Sequence, residues 1–313
     1  MKLSIIVPAY NEEGNVKTVY DNIKKIFEDI SYEILFVNDG SKDKTYEELK
    51  ELYKTDKKHI KVVNFSRNFG KEAAMYAGLK HAEGEYTAII DADMEQNPKY
   101  LLEMITFLDK NPEYDQVAMV INQRKAGSAF KRWCSKTFYK FINKLSDIHF
   151  AEDASDFRMF RREVREAIVS LPEKNRFSKG IFSWIGFNTK YMKYEVGQRT
   201  KGESKFNFRK SLKYALDGII GYSIKPLKIA TYSGILTSFG GFGYLIYILI
   251  KTLIFGADTP GFATIVCLIL FIGGIQLICL GILGEYLAKT FMETKNRPIF
   301  IEKNSLGFED EIL

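Results

Sequence analysis

Cysteine and histidine are scarce, with three of each in 313 residues. Cys134, Cys267 and Cys279 stand at no metal-ligand or disulfide-framework spacing, and the last two lie inside apolar runs, where they read as small buried hydrophobes. His59, His81 and His149 do not cluster, which argues against a zinc site and against a serine–histidine triad. No Gly-x-Gly-x-x-Gly follows the first strand-like run, and no Gly-x-x-x-x-Gly-Lys-Ser/Thr occurs, so dinucleotide oxidoreductases and P-loop ATPases find no support. Repeats and low-complexity linkers are absent. The chain opens on Met1-Lys2-Leu3-Ser4 and enters a strand-like run at once, without a basic stretch and an apolar stretch before it. The expectation is therefore no signal peptide, with the soluble part in the cytoplasm.

Charge is missing from two long segments. Ile229 to Ile250 gives 22 residues without a charge, and Thr259 to Gly284 gives 26. A bilayer span needs roughly 20 mostly apolar residues, so both qualify, a buried core helix being the bland reading. The short link between them makes the pair a hairpin, 229–284. Lys225 and Lys228 precede it and Lys289, Lys295, Arg297 and Lys303 follow it, while the link carries only Lys251 and Asp258. Positive flanks place both ends in the cytoplasm, with residues 285–313 as a cytoplasmic tail. Gly240-Gly241-x-Gly243 and Gly273-Gly274 would let the two helices approach closely. The overall net charge of +6 does not by itself choose between nucleic acid, membrane surface and phosphorylated substrate.

Residues 1–206 mix charged and apolar residues as a soluble domain does. Strand-like runs at Leu3–Val7, Tyr32–Val37, Ile60–Phe65, Tyr86–Ile90 and Gln116–Ile121 alternate with helical patterns at Glu12–Ile30, Asp43–Tyr53, Lys71–Ala82 and Pro98–Lys110. That alternation predicts an α/β domain with a mostly parallel sheet covered on both faces. Ligands of such sheets bind beyond the carboxyl ends of the strands. Asp91-Ala92-Asp93 follows the fourth run, and two carboxylates there suit a hard Mg²⁺ or Mn²⁺ ion completed by substrate phosphates, though solvated loop acids show the same pattern. Asp39, in Asn38-Asp39-Gly40-Ser41, is either turn chemistry or a carboxylate for a nucleoside. Lys71, after Gly70 at the start of a helix, suits phosphate or is simply solvated.

Pro8-Ala9-Tyr10-Asn11-Glu12-Glu13, Val37-Asn38-Asp39-Gly40-Ser41, Arg67-Asn68-Phe69-Gly70-Lys71 and Asp91-Ala92-Asp93, in this order, resemble family 2 glycosyltransferases. With the two apolar runs the chain resembles the branch holding bactoprenol glucosyltransferases and dolichol-phosphate mannose synthases. The resemblance implies a GT-A fold, a UDP- or GDP-sugar donor, a divalent metal and inversion at the anomeric carbon. It implies that Pro8, Tyr10, Glu12 and Asp39 hold the nucleoside, and that Asp91 and Asp93 serve metal and diphosphate. Family members often carry glutamine where this chain has Glu95, which adds negative charge at a possible metal contact. Asp153-Ala154-Ser155-Asp156-Phe157-Arg158 resembles the branch's Asp-Phe-Arg motif, which implies a place for Asp156 near the reacting centre. Arg199-Thr200-Lys201-Gly202-Glu203-Ser204-Lys205 resembles a phosphate-contacting segment and brings in Arg199 and Lys205. Without the resemblance, both segments read as loops.

Between Gln116 and Ser146 there is no acidic residue, whereas Arg132, Lys136, Lys140 and Lys144 recur every four residues beside a stripe of Trp133, Phe141 and Leu145. A basic amphipathic helix with aromatics lies in a membrane interface, or else forms a solvated face over the core. Residues 207–228 repeat the theme as a juxtamembrane helix. Arg132 and Lys136, with Arg199 and Lys205, are the candidates for a lipid phosphate. The expected partners are a nucleotide sugar, a polyprenyl-phosphate lipid and the bilayer, with no nucleic acid. The donor would be UDP-glucose or UDP-GlcNAc, with a membrane glycosyltransferase acting on a hydroxyl acceptor as the alternative. Oligomeric state is left open, a homo-oligomer included.

Overall fold

The computed structural model describes residues 1–122, 143, 154–197, 218–256 and 261–308. Five strands fall where the apolar runs place them: β1 (Leu3–Ala9), β2 (Tyr32–Asn38), β3 (Ile60–Phe65), β4 (Tyr86–Ile89) and β5 (Gln116–Ile121). Between them lie α1 (Asn15–Ile26), α2 (Thr45–Thr55), α3 (Lys71–His81) and α4 (Lys99–Lys110). Then come β6 (Ala154–Arg161), α5 (Arg162–Ser170), α6 (Ser178–Trp184), β7 (Thr189–Tyr194), α7 (Lys225–Phe255), α8 (Phe262–Thr294) and β8 (Glu302–Leu306).

The eight strands form one sheet in the order β7-β5-β6-β4-β1-β2-β3-β8. β1, β2, β3 and β4 run parallel, β5 and β7 run the same way, and only β6 and β8 are reversed. Alternation along each strand divides the core between two faces. Ile5 and Val7 pack with Val16, Val19 and Ile23 of α1 on one side. Ile6, Leu35 and Ile89 pack with Met75 and Leu79 of α3 on the other. The α1 residues recur at helical spacing and face the sheet. α3 instead buries Ala73, Ala74, Ala77 and Gly78, small residues that let it lie close to the strands.

Three strands, β6, β7 and β8, were not expected; β7 pairs parallel with β5 at one edge of the sheet. β6 inserts antiparallel between β4 and β5, pairing Ile89 with Arg158, where the sequence reads as a loop. Its apolar alternation is masked by Arg158 and Arg161. The Arg158 guanidinium is buried, 3.8 Å from the centre of the Phe182 ring, and donates to the Ser155 carbonyl. β8 pairs antiparallel with β3. Of residues 285–313, expected as a tail, the first therefore belong to α8 and Glu302–Leu306 return to extend the sheet. Glu-Lys-Asn-Ser-Leu has no apolar alternation because an edge strand has little to bury.

α7 and α8 form the hairpin and extend past the uncharged runs; 31 residues of helix span about 46 Å. Both are long and apolar enough to cross a membrane, and neither buries its apolar window in the protein. That rules out the core-helix reading. The two helices touch where the Cys279 Sγ approaches Ser233 Oγ and donates to the Ala230 carbonyl, each at 3.6 Å. The glycines do not make the contact, since nothing lies within 4 Å of where a Cβ would stand on Gly240, Gly241, Gly243, Gly273 or Gly274. Of the helix expected at 207–228, residues 207–217 lie outside the described residues; 218–222 are helical, and the helix breaks at Ser223 and Ile224 before α7 begins.

At Gly78 a Cβ would run into the Ile6 side chain. Gly78→Ala is expected to destabilise the domain by about 1–3 kcal/mol despite alanine's better helix propensity. The same change in an Ile6→Ala background should cost clearly less, as read by thermal denaturation in detergent.

Candidate active site

Antiparallel pairing of β4 with β6 brings two acids together. Continuing the register that sets Ile89 opposite Arg158 places Asp91 across from Asp156. Lys71, the first residue of α3, bridges them, its Nζ lying 2.7 Å from Asp91 Oδ1 and 3.0 Å from Asp156 Oδ2. Burial works against the Lys71 charge, but Asp91 and Asp156 outweigh it and hold its pKa above the ordinary lysine value. Burial likewise opposes ionisation of Asp156, yet Lys71, Lys179 and Arg158 bring its pKa down to about 2. Its Oδ1 is buried and without a hydrogen-bond partner among the described residues.

The position of Lys71 is set by Asp39. The buried Asp39 carboxylate accepts hydrogen bonds from the backbone N–H of Phe69 (2.6 Å) and Gly70 (2.9 Å) and from Asn68 Nδ2 (2.9 Å). Burial raises its pKa, and the two backbone donors partly offset that rise. Gly70 takes φ +101°, a conformation that favours glycine, and so turns the chain into α3. Gly40, at φ +63°, lies so close to Arg67 and Asn68 that a Cβ would collide with their backbone.

The other candidates share this end of the sheet. Pro8 pairs with Val37 near the end of β1, and Tyr10 follows β1 and is exposed. Glu12 accepts from Asn15 Nδ2 at 2.6 Å, and its backbone N–H donates to Thr45 Oγ1 at 2.8 Å. β1 lies between β2 and β4, so the chain's path across the sheet reverses at β1. This is the crevice position at which open α/β sheets take ligands.

Asp91, Asp93 and Glu95 do not converge as expected of a three-acid metal site: among the described residues no group of three or more His, Cys, Asp or Glu does. Asp91 Oδ2 accepts from Gln96 Nε2 at 2.9 Å, and its backbone N–H donates to Gln96 Oε1 at 2.8 Å. Asp93 Oδ1 accepts from the Glu95 N–H at 3.1 Å, and the Glu95 carbonyl accepts from Gly197 N–H at 2.8 Å. The pair Asp91 and Asp93 still fits, in its hard oxygen atoms, an ion that takes one or two carboxylates and fills its remaining positions with phosphate oxygens and water.

Beside Asp156 opens a cleft of about 530 Å³, lined among others by Lys71, Glu72, Lys174, Arg176 and Lys179. Sequence reasoning missed it because its walls lie about a hundred residues apart along the chain. The only signal was three cations, Lys174, Arg176 and Lys179, within six residues. Glu72 accepts from both the backbone N–H and the hydroxyl of Ser178. Arg132, Lys136, Arg199 and Lys205 lie outside the described residues.

Residues 4–169 match Glycosyl transferase family 2, and residues 225–290 match the GtrB C-terminal hairpin. The chain belongs to glycosyl transferase family 2. It is 42% identical to a putative glycosyltransferase of Bacillus subtilis over 97% of this chain and 92% of that one. It is 40% identical to a prophage-derived bactoprenol glucosyl transferase of Shigella flexneri over 97% of this chain and 98% of that one. Among solved structures, glucosyl-3-phosphoglycerate synthase of Mycobacterium tuberculosis is 16% identical at a TM-score of 0.49, over 70% of this chain and 76% of that one. Membership of this family makes the enzyme a glycosyltransferase, and its mostly parallel sheet is that of the GT-A fold.

Burial pushes the Glu72 carboxyl up to about 6, the Ser178 hydrogen bonds holding it back and Asp156 adding to the rise. Between the ordinary value of 4.5 and 6 the folded state keeps a proton that the unfolded chain releases. Stability therefore falls as pH rises through that window. Glu72→Gln is expected to stabilise by about 1–2 kcal/mol at pH 7 and by little at pH 4. Melting curves across pH check this, and equal effects at both ends would contradict it.

Proposed function

We propose that this enzyme transfers a hexose or N-acetylhexosamine from a nucleotide sugar, UDP-glucose or UDP-GlcNAc, to a polyprenyl phosphate such as undecaprenyl phosphate, with inversion at C1. The observation that carries this reading is the cation-lined cleft beside Asp156, one wall of which is held by the second apolar helix. The backbone N–H groups of Lys174 and Asn175 donate to Glu293 of α8. A donor site open to water and an acceptor lipid confined to a bilayer would meet there. The bactoprenol glucosyl transferase relatives, similar over nearly their whole length, support the same acceptor class.

In this reading Pro8, Tyr10, Glu12 and Asp39 seat the nucleoside, with Asp39 also fixing the turn before Lys71. Asp91 and Asp93 would hold a divalent ion, Mg²⁺ or Mn²⁺, which would neutralise charge on the departing diphosphate. A phosphate monoester has its second pKa near ~6 and is largely dianionic at neutral pH. One of its oxygens attacks C1 from the face opposite the leaving group. The C1–oxygen bond to the nucleoside diphosphate breaks, and its electron pair leaves with the diphosphate. Lys71 stabilises that developing charge. No proton has to be removed from the attacking oxygen. Asp156, strongly acidic here, suits an orienting and electrostatic role better than that of a base.

A hydroxyl acceptor is the second reading, since it would need Asp156 to take a proton. The low pKa of Asp156 makes it a weak base and disfavours that reading. The basic residues flanking the hairpin support two spans in a bacterial plasma membrane, with the catalytic domain on the cytoplasmic side.

Membranes carrying the enzyme, given undecaprenyl phosphate and radiolabelled UDP-sugars with Mg²⁺ or Mn²⁺, are expected to form a labelled lipid with at least one donor. Absence of labelled lipid across the donor panel would overturn the reading. Asp156→Asn is expected to lower kcat about 10- to 100-fold while leaving measurable turnover. Complete loss with intact donor binding would favour the hydroxyl acceptor instead.

A further inference from the structure

We infer that Lys174 and Lys179 form the seat of the acceptor's phosphate monoester, in the cleft beside Asp156. This rests on the transfer reading above and gives that reading a location for its acceptor. Four cations line the cleft, and two are already engaged. Lys71 is held by Asp91 and Asp156. Arg176 is buried, donates to the carbonyls of Leu171 (2.9 Å) and Ile168 (3.3 Å), and lies 4.2 Å from the centre of the Tyr76 ring. For the ammonium groups of Lys174 and Lys179 the described residues provide no hydrogen bond and no ion pair within 4 Å. Two cations that line a roomy cleft without a hydrogen bond or close ion pair among the described residues match a dianionic phosphate, and charge-assisted bonds are the strong ones.

Position selects the acceptor phosphate over other anions. The segment that carries Lys174 is tied to α8 and to the residues just before α7. Lys174 N–H and Asn175 N–H donate to Glu293 Oε1 at 2.9 and 3.0 Å, in the last turn of α8. Next to them, Tyr222 hydroxyl donates to Glu173 Oε2 at 3.2 Å, and residue 222 lies three residues before α7 begins. A lipid held by its tail beside these helices would present its phosphate at this cleft. Asp156 lines the same cleft, its Oδ1 buried and without a hydrogen-bond partner among the described residues. The reacting carbon would then lie between Asp156 and the two lysines.

The test uses the full-length protein in detergent and isothermal titration with two probes, a short-chain prenyl phosphate and UDP, with inorganic phosphate and the uncharged prenyl alcohol as controls. Lys174→Ala and Lys179→Ala are each expected to weaken prenyl phosphate about 10-fold and together about 100-fold. UDP affinity should stay within about 2-fold, and Lys179→Arg should restore most of the binding. Unchanged prenyl phosphate affinity in the double variant would overturn the assignment. So would an equal loss for UDP, which would make the cleft the donor's diphosphate site, or binding of inorganic phosphate as tight as that of the prenyl phosphate. If the wild type binds the prenyl phosphate through these lysines but transfers no sugar to it, the seat stands and the transfer reading fails. Transfer that is indifferent to both lysines gives the reverse.

Discussion

The ammonium of Lys71, held between Asp91 and Asp156, is the contact on which the arrangement of this site depends. Two carboxylates brought together at adjacent strand ends repel one another, and in a part-buried setting that repulsion is large unless a cation sits between them. Lys71 supplies it at 2.7 and 3.0 Å. The lysine is placed in turn by the Asp39 carboxylate, through the N–H groups of Phe69 and Gly70. The order of dependence runs from the end of β2, through the turn before α3, to the ends of β4 and β6. Each link is a short polar contact anchored in a sheet whose interior is apolar and closely packed, so the charges need not reorganise when substrate arrives.

A second set of contacts joins this sheet to the hairpin. The Tyr286 hydroxyl of α8 donates to the Ser223 carbonyl, and Glu293 accepts from the 174–175 backbone. The chain then returns as β8. A row of asparagines crosses three strands there, Asn38 donating to Asn64 and Asn64 to Asn304, each at 2.7 Å. Asn38 also accepts from Ser41 in the Asp39 turn. The segment that follows α8 therefore stands three hydrogen bonds from Ser41 in the Asp39 turn. Such a layout keeps the cleft at a fixed position relative to the apolar helices.

Much of this was legible in the sequence, for a physical reason. β1 to β5 are continuous apolar runs because helices cover both faces of a parallel sheet, and α1 and α4 show one apolar face. Asp39, Lys71, Asp91 and Asp93 follow those strands directly, so their places could be read from the strand ends. β6 could not be read, because its inward residues alternate with Arg158 and Arg161, whose charges are satisfied by tertiary contacts invisible in the sequence. β8 is an edge strand with nothing apolar to reveal it. Glu95 was grouped with Asp91 and Asp93 on sequence adjacency, and among the described residues no group of three such acids gathers. The helix-packing glycines misled because small residues only permit a close contact. Lys174, Arg176 and Lys179 stand close together in sequence, but only the fold brings them to Asp156.

The most direct test of the central contact is the titration of the Asp156 carboxyl carbon, followed by ¹³C NMR in the metal-free protein and in Lys71→Met. If Lys71 governs the site, Asp156 in the wild type stays ionised down to a pH near its value of about 2. In the variant it should take up its proton above pH ~4, since burial then acts against a weaker opposing charge. The same midpoint in both proteins would contradict the account.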